Sequence, residues 1–157
     1  PATGLRFFTV YGPWGRPDMA YFSFTDKLVK GETIKIFNHG DMKRDFTYVD
    51  DIVKGLFNVI NRPPVCEPPH RLYNIGNHHP VDLLGFIRVL EACLTGEGLI
   101  SKPANIEFLP MQPGDVYQTY ADVEELVRDF DFKPSTTIEV GLGKFAAWYA
   151  AYYGKSK

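Results

Sequence analysis

Three clusters in this chain carry side chains able to hold an anionic or hydroxylated ligand. The first, Arg6 to Asp18 (RFFTVYGPWGRPD), runs an apolar segment into a loop with two glycines, two prolines and a projecting Arg16. If the segment is a strand, its loop lies at a carboxyl end, where open α/β sheets bind ligands. The second, Lys43 to Asp51 (KRDFTYVDD), sets Arg44 beside aromatic residues. A guanidinium there can grip a phosphate through its planar fork. In the third, Met111 to Val116 (MQPGDV), Gly114 frees the backbone and Asp115 can accept hydrogen bonds from ribose hydroxyls. Each cluster also has a purely structural reading. Arg16 would be a solvated cation after a tight turn. Arg44 and Asp45 would form surface ion pairs, with Asp50 capping a helix. Asp115 would be an ordinary turn residue.

The elements that must position these clusters follow from periodicity and punctuation. Thr3 to Thr9 reads as a buried strand, and Tyr11 to Asp18 as its loop. A helix is predicted from about Met19 to Lys30, ended by Gly31, then a short strand over Thr33 to Phe37. Asp45 to Val49 alternates as a strand does. Behind it Ile52, Val53, Leu56, Phe57 and Ile60 fall at helical spacing, with Asp50 as the expected N-cap. Four prolines make Asn61 to His70 an irregular loop. Leu72 to Ile75 is the next strand, and Asp82 caps a helix with the stripe Leu83, Ile87, Leu90 and Leu94. Ile106 to Leu109 reads as a strand, and Asp122 as the cap of a helix reaching Phe130. A last helix spans about Ile138 to Tyr153, with Ile138, Leu142, Phe145, Tyr149 and Tyr152 on its buried face. This alternation predicts an α/β fold with a parallel component in one domain.

Composition narrows the classes of function. With 157 residues, 45% hydrophobic and 23% charged, the chain can build a core and is not expected to be disordered. A net charge of -2 gives no long-range pull toward nucleic acid or an anionic membrane. No apolar run approaches the roughly 18 residues of a membrane span. Cys66 and Cys93 lack metal-ligand spacing, and a reducing, cytoplasmic setting is the default expectation. His78-His79 and the pair Cys66 and His70 make no zinc site. No GxGxxG fingerprint and no nucleophile elbow are found. The start, Pro1-Ala2-Thr3-Gly4 running into apolar residues, is expected to lie inside a domain.

In this order the clusters resemble the extended short-chain dehydrogenase/reductase family, and within it they look closest to the UDP-glucuronate 4-epimerases. The residues that carry the resemblance are LRFFTVYGPWGRPDMA (Leu5 to Ala20) and GETIKIFNHGDMKRDFTYVDDIV (Gly31 to Val53). They continue with YNIGN (Tyr73 to Asn77), MQPGDV (Met111 to Val116), TYAD (Thr119 to Asp122) and the pattern from Phe132 to Tyr149. The resemblance implies the end of a Rossmann-type parallel sheet plus a small C-terminal substrate-binding subdomain over residues 1–157. It implies NAD as cofactor, a UDP-sugar as substrate, a homodimeric parent and a place in polysaccharide biosynthesis. The intact enzyme would oxidise the sugar at C4, rotate the keto sugar and reduce it from the other face. The family's phosphate-binding GxxGxxG and its catalytic Tyr-x-x-x-Lys are expected to be absent here, leaving this chain a binding half without activity of its own. By motif match Arg44 would contact the pyrophosphate, Asp115 the ribose with Gln112 nearby, and Phe37 the uracil. Thr9 and Arg16 would face the sugar, and Phe7 and Phe8 the nicotinamide. Many relatives carry Asn where this chain has Thr9, and UDP-galactose 4-epimerases typically carry Arg where it has Gln112; both departures favour the glucuronate reading. A UDP-glucuronate decarboxylase, a nucleotide-sugar dehydratase and a stand-alone sugar-nucleotide-binding module are the alternatives.

Overall fold

The computed structural model describes residues 1–154. Seven short strands and five helices alternate along the chain. Strand β1 (Ala2–Phe7) pairs in parallel with β5 (His70–Ile75), Leu5 opposite Tyr73. Strand β2 (Thr9–Tyr11) pairs in parallel with β4 (Lys43–Tyr48), whose start runs antiparallel to β6 (Pro80–Asp82). Strand β3 (Ile34–Ile36) pairs in parallel with β7 (Ile106–Phe108). The single strand expected over Thr3 to Thr9 is therefore two. Its pairing partner changes at Phe8, whose N–H still donates to the Ile75 carbonyl at 3.2 Å.

The helices are α1 (Ala20–Lys30), α2 (Val49–Ile60), α3 (Leu83–Gly96), α4 (Glu124–Phe130) and α5 (Ile138–Tyr153). Helix α1 ends as its sequence requires: Gly31 takes φ 72, and its N–H donates back to Leu28 O at 3.1 Å. Helix α3 starts at the expected cap, with the Asp82 carboxylate accepting from Gly85 N at 2.7 Å. Two other caps differ. Tyr48 holds the N-cap position of α2, so Asp50 stands in the first turn, where a carboxylate still favours the helix dipole, and pairs with Lys144 at 3.8 Å. Val123 precedes α4, and Asp122 contributes by accepting from Glu124 N at 3.1 Å.

Two cores result. The larger joins α1, α3 and α5 to β2, β3 and β4, with Phe86, Leu90, Leu142 and Phe145 wholly buried. Phe46 of β4 stacks on Phe86 of α3 at 4.4 Å. The smaller packs Ile52 and Val59 of α2 and Leu126 and Phe130 of α4 on Tyr73 and Ile75 of β5. Only part of the stripe expected on α2 is buried. Val53, Leu56, Phe57 and Ile60 are exposed, because the narrow β1–β5 ribbon covers the Ile52, Gly55 and Val59 face instead. On α5, Tyr152 likewise stays half exposed, while Leu142, Phe145 and Tyr149 are buried.

Two buried carboxylates lock the layers together. Asp45 is fully buried, not the surface partner of an ion pair. It accepts from Asn77 N at 3.0 Å, His78 N at 3.1 Å and Ala121 N at 3.0 Å. Asp51 accepts from Ser135 N and Thr136 N at 3.2 and 2.8 Å, tying α2 to the approach of α5. No described helix is long and apolar enough to cross a membrane.

Candidate functional site

Because β2 and β4 are parallel neighbours, Thr9 and Phe46 lie opposite each other and the clusters at Arg6–Asp18 and Lys43–Asp51 meet. The third cluster reaches the same place through backbone pairing. Lys43 N donates to Tyr117 O at 3.0 Å, and Thr119 N donates to Lys43 O at 3.2 Å. Residues far apart in sequence thus converge where β2 and β4 begin, next to the carboxyl end of β1 at Phe7.

Two cavities open there. One, of about 220 Å³, is lined by Thr9, Phe37, Arg44 and Asp115 together with apolar residues of α1 and β4. The Arg44 guanidinium donates from Nη2 to Asp115 Oδ1 at 2.8 Å and from Nη1 to the carbonyls of Lys43 and Tyr117 at 2.9 and 3.2 Å. Both side chains are largely sheltered, 19% and 30% exposed, which strengthens the pair relative to a solvated one. Asp115 Oδ1 also accepts from Val116 N at 2.8 Å, so its turn is closed by its own carboxylate.

The other cavity, of about 420 Å³, is lined by Phe7, Phe8, Thr9, Trp14, Arg16 and neighbouring residues of the same loop. Thr9, Met19 and Tyr21 line both cavities, so the two adjoin at the start of β2. Arg16 is bound bidentately by Asp18, at 3.1 and 2.8 Å, and its side chain is 75% exposed. Tyr11 and Tyr21 both line the larger cavity, and burial pushes both phenols above their ordinary value. They stay neutral at ordinary pH, and neither is a ready proton acceptor.

Gln112 lines neither cavity. Its side chain is exposed, and its carbonyl accepts from Asp115 N at 3.2 Å, a role in shaping the turn. Lys35 lines the smaller cavity and pairs with Glu107 at 3.9 Å. Its one signal in the sequence is its spacing of two from Phe37, since a strand's period of two puts such residues on one face. Trp14 reads in the sequence only as part of a loop.

The expected absence of Tyr-x-x-x-Lys needs a correction: Tyr153 and Lys157 have that spacing. Tyr153 closes α5 and lines a different cavity, beside Glu97 and Leu99, and Lys157 lies outside the described residues. Tyr153 therefore lines neither cavity of the site. Gly141, Gly143 and Ala146 have the spacing of a dinucleotide fingerprint but stand inside α5, not in a strand-to-helix loop. Among the described residues no group of three metal-ligating side chains forms. His78 is engaged in the fold: Nδ1–H donates to Ala121 O at 2.8 Å, so Nε2 accepts from the Tyr120 hydroxyl at 2.7 Å.

Short, mostly parallel strand pairs carrying two adjoining cavities define an α/β protein. Residues 1–76 match the family model described as NAD dependent epimerase/dehydratase family. It is 47% identical to Protein CapI of Staphylococcus aureus, over 99% of this chain and 49% of that protein. It is 44% identical to UDP-glucuronate 4-epimerase 3 of Arabidopsis thaliana, over 99% of this chain and 38% of that enzyme. The structure superposes on the crystal structure of UDP-glucuronic acid 4-epimerase from Bacillus cereus in complex with UDP-glucuronic acid and NAD. The TM-score is 0.82 at 31% identity, over 95% of this chain and 45% of that one. The chain thus spans about half, or less, of the length of the relatives it matches.

Proposed function

We propose that this chain is the C-terminal, substrate-binding half of an NAD-dependent sugar-nucleotide 4-epimerase that interconverts UDP-glucuronate and UDP-galacturonate. The observation that carries the reading is the position of Thr9, at the junction of two adjoining cavities. One holds Arg44, Asp115 and Phe37, a cation for a diphosphate, an acceptor for ribose hydroxyls and a flat apolar face for a base. The other holds Arg16 and the Phe7–Phe8 rim, a cation and apolar faces for a sugar acid beside a nicotinamide ring. Similarity to the UDP-glucuronate 4-epimerases of Arabidopsis thaliana and Bacillus cereus supports it.

In this mechanism the chain's residues bind and orient. Arg44 shares its fork between Asp115 and the pyrophosphate, a charge-assisted contact made stronger by shelter from water. The Thr9 hydroxyl and the Arg16 guanidinium donate to the sugar carboxylate while the pyranose turns over. Those contacts keep the acid group hydrogen-bonded through both orientations. Phe7, 52% exposed at the end of β1, fits a nicotinamide face. The dinucleotide's own pyrophosphate finds no Gly-rich loop among the described residues. Phe7 and Phe8 would border NAD's nicotinamide ring, and the cofactor would supply reversible hydride transfer there.

Product analysis tests the proposal. The full-length protein, given UDP-glucuronate and NAD, should form UDP-galacturonate. Release of carbon dioxide with a UDP-pentose, or loss of water, would replace the epimerase reading with a decarboxylase or a dehydratase. The 157-residue chain alone is expected to form no product.

A further inference from the structure

Trp14 sits in the loop between β2 and α1 with φ 61, a left-handed backbone that non-glycine residues adopt only when their surroundings hold them there. What holds it is α5. The indole lies 5.2 Å from Trp148 and 5.1 Å from Tyr152, and those two rings stack on each other at 5.5 Å. Trp148 in turn packs on Phe145 and Phe22 of the larger core, at 5.8 and 6.2 Å. The loop is therefore held to the core from two sides, by Trp14 on α5 and by the buried Tyr21, whose hydroxyl donates to Gly12 O at 3.4 Å. Trp14 nonetheless remains 73% exposed and lines the larger cavity together with Thr9 and Arg16. An exposed aromatic in a strained backbone, tilted against the partly buried Trp148 and edge-on to the half-exposed Tyr152, has little reason in stability alone.

We infer that Trp14 is a positioning residue: docked on Trp148 and Tyr152, it sets where the loop presents Arg16 to an acidic group in the larger cavity. The inference deepens the reading of that cavity as the sugar subsite and rests on it. Arg16 is held only by exposed contacts, to Asp18 and at 3.8 Å to the Met19 sulfur. Such contacts hold an arginine weakly. Its placement is thus set by the backbone that carries it, and Trp14, two residues earlier, fixes that backbone.

Trp14 and Trp148 are the chain's two tryptophans, so indole fluorescence comes from the two partners of this contact. The test uses the full 157-residue chain and its Trp14→Ala and Trp14→Phe variants. In amide hydrogen exchange, Trp14→Ala should speed exchange across residues 12–16 roughly tenfold, while α5 and β4 keep wild-type rates. Equal loop rates in wild type and Trp14→Ala would overturn the inference. In calorimetry, Trp14→Ala should cut the preference for UDP-glucuronate over UDP by roughly tenfold, the worth of one charge-assisted hydrogen bond. UDP affinity itself should hold, and Trp14→Phe should restore most of the preference. A parallel loss for both ligands, or none, would contradict positioning of Arg16. If wild type binds neither ligand, the subsite reading falls with the positioning of Arg16, and the exchange rates still decide whether Trp14 pins the loop.

Discussion

Arg44 and Asp115, 71 positions apart, meet at 2.8 Å and close the floor of the smaller cavity. One is carried by β4 and the other by a turn that β4 itself recruits through Lys43. In the proposed complex the same guanidinium also pairs with the ligand's diphosphate, and truncating one member of such a sheltered charge pair typically costs about 2–5 kcal/mol of binding. Arg44→Ala should therefore weaken UDP binding roughly 30-fold or more, read by titration calorimetry. An unchanged affinity would reduce Arg44 to a partner for Asp115.

Thr9→Val removes a hydroxyl at nearly constant shape where the cavities meet. Steady-state kinetics on the full-length protein should show lower turnover of UDP-glucuronate, with UDP affinity nearly intact because the nucleotide is held around Arg44. Wild-type turnover would rule out a role for the hydroxyl.

Asp45 presents the largest gap between sequence and structure. Beside Arg44 it reads as half of a surface pair, yet it is buried with three backbone N–H donors converging on it. Asp45→Ala leaves those donors unsatisfied, at about 1–3 kcal/mol for each. Urea unfolding should show a loss of at least about 3 kcal/mol; a loss below about 1 kcal/mol would mean the backbone finds other partners.

The two glycines of α5 should respond with opposite signs. In a helix interior Gly→Ala ordinarily stabilises by about 0.5–1 kcal/mol. Gly143 faces open space, and Gly143→Ala should raise the melting temperature. A Cβ at Gly141 would collide with the hydroxyl of Tyr11, which is buried and donates to Thr137 O at 3.3 Å. Overpacking of that kind typically costs about 1–3 kcal/mol, more than the helix gains, so Gly141→Ala should lower it. Equal shifts for the two would refute the close approach of β2 and α5.

Alkaline pH should expose the tyrosine packing. Burial, with Asp26 beside it, pushes Tyr149 up to about 12 from its ordinary 10.0, and its hydroxyl donates to Asp26 Oδ1 at 3.3 Å. The folded state thus favours the neutral phenol. Its contribution is complete below pH 10.0 and is lost as pH rises toward about 12. Tyr149→Phe should therefore melt with a shallower pH dependence across that window than wild type does. Parallel curves would place the alkaline loss elsewhere.

Much of the fold was legible where local chemistry decides. Gly31 ends α1, Asp82 caps α3, and α5 spans the residues its periodicity marked. Legibility failed where a distant element decides. Nothing local tells Phe8 that its strand changes partner, or Asp45 that the 77–78 turn and Ala121 will close over it. Four of the six expected substrate residues line the smaller cavity, and Thr9 and Arg16 the larger, because β2 and β4 pair in parallel and bring their clusters together. Gln112 lies off both, since a turn fixes its backbone while leaving its side chain to solvent. Lys35 is not legible in the sequence because a lone lysine in a short strand carries no pattern beyond its spacing to Phe37.

The central claim is that a sugar nucleotide lies across the two cavities joined at Thr9. Amide chemical-shift mapping of the 157-residue chain during titration with UDP-glucuronate tests it most directly. The account predicts shifts at Thr9, Trp14 to Arg16, Lys35 to Phe37, Met42 to Phe46 and the Gln112–Tyr117 turn, with UDP alone moving all but Thr9 and the Arg16 loop. A further cavity of about 390 Å³, between the end of α1 and residues 99–105, provides the internal control. Shifts centred there, or no shifts at Arg44 and Asp115 at saturating ligand, would contradict it.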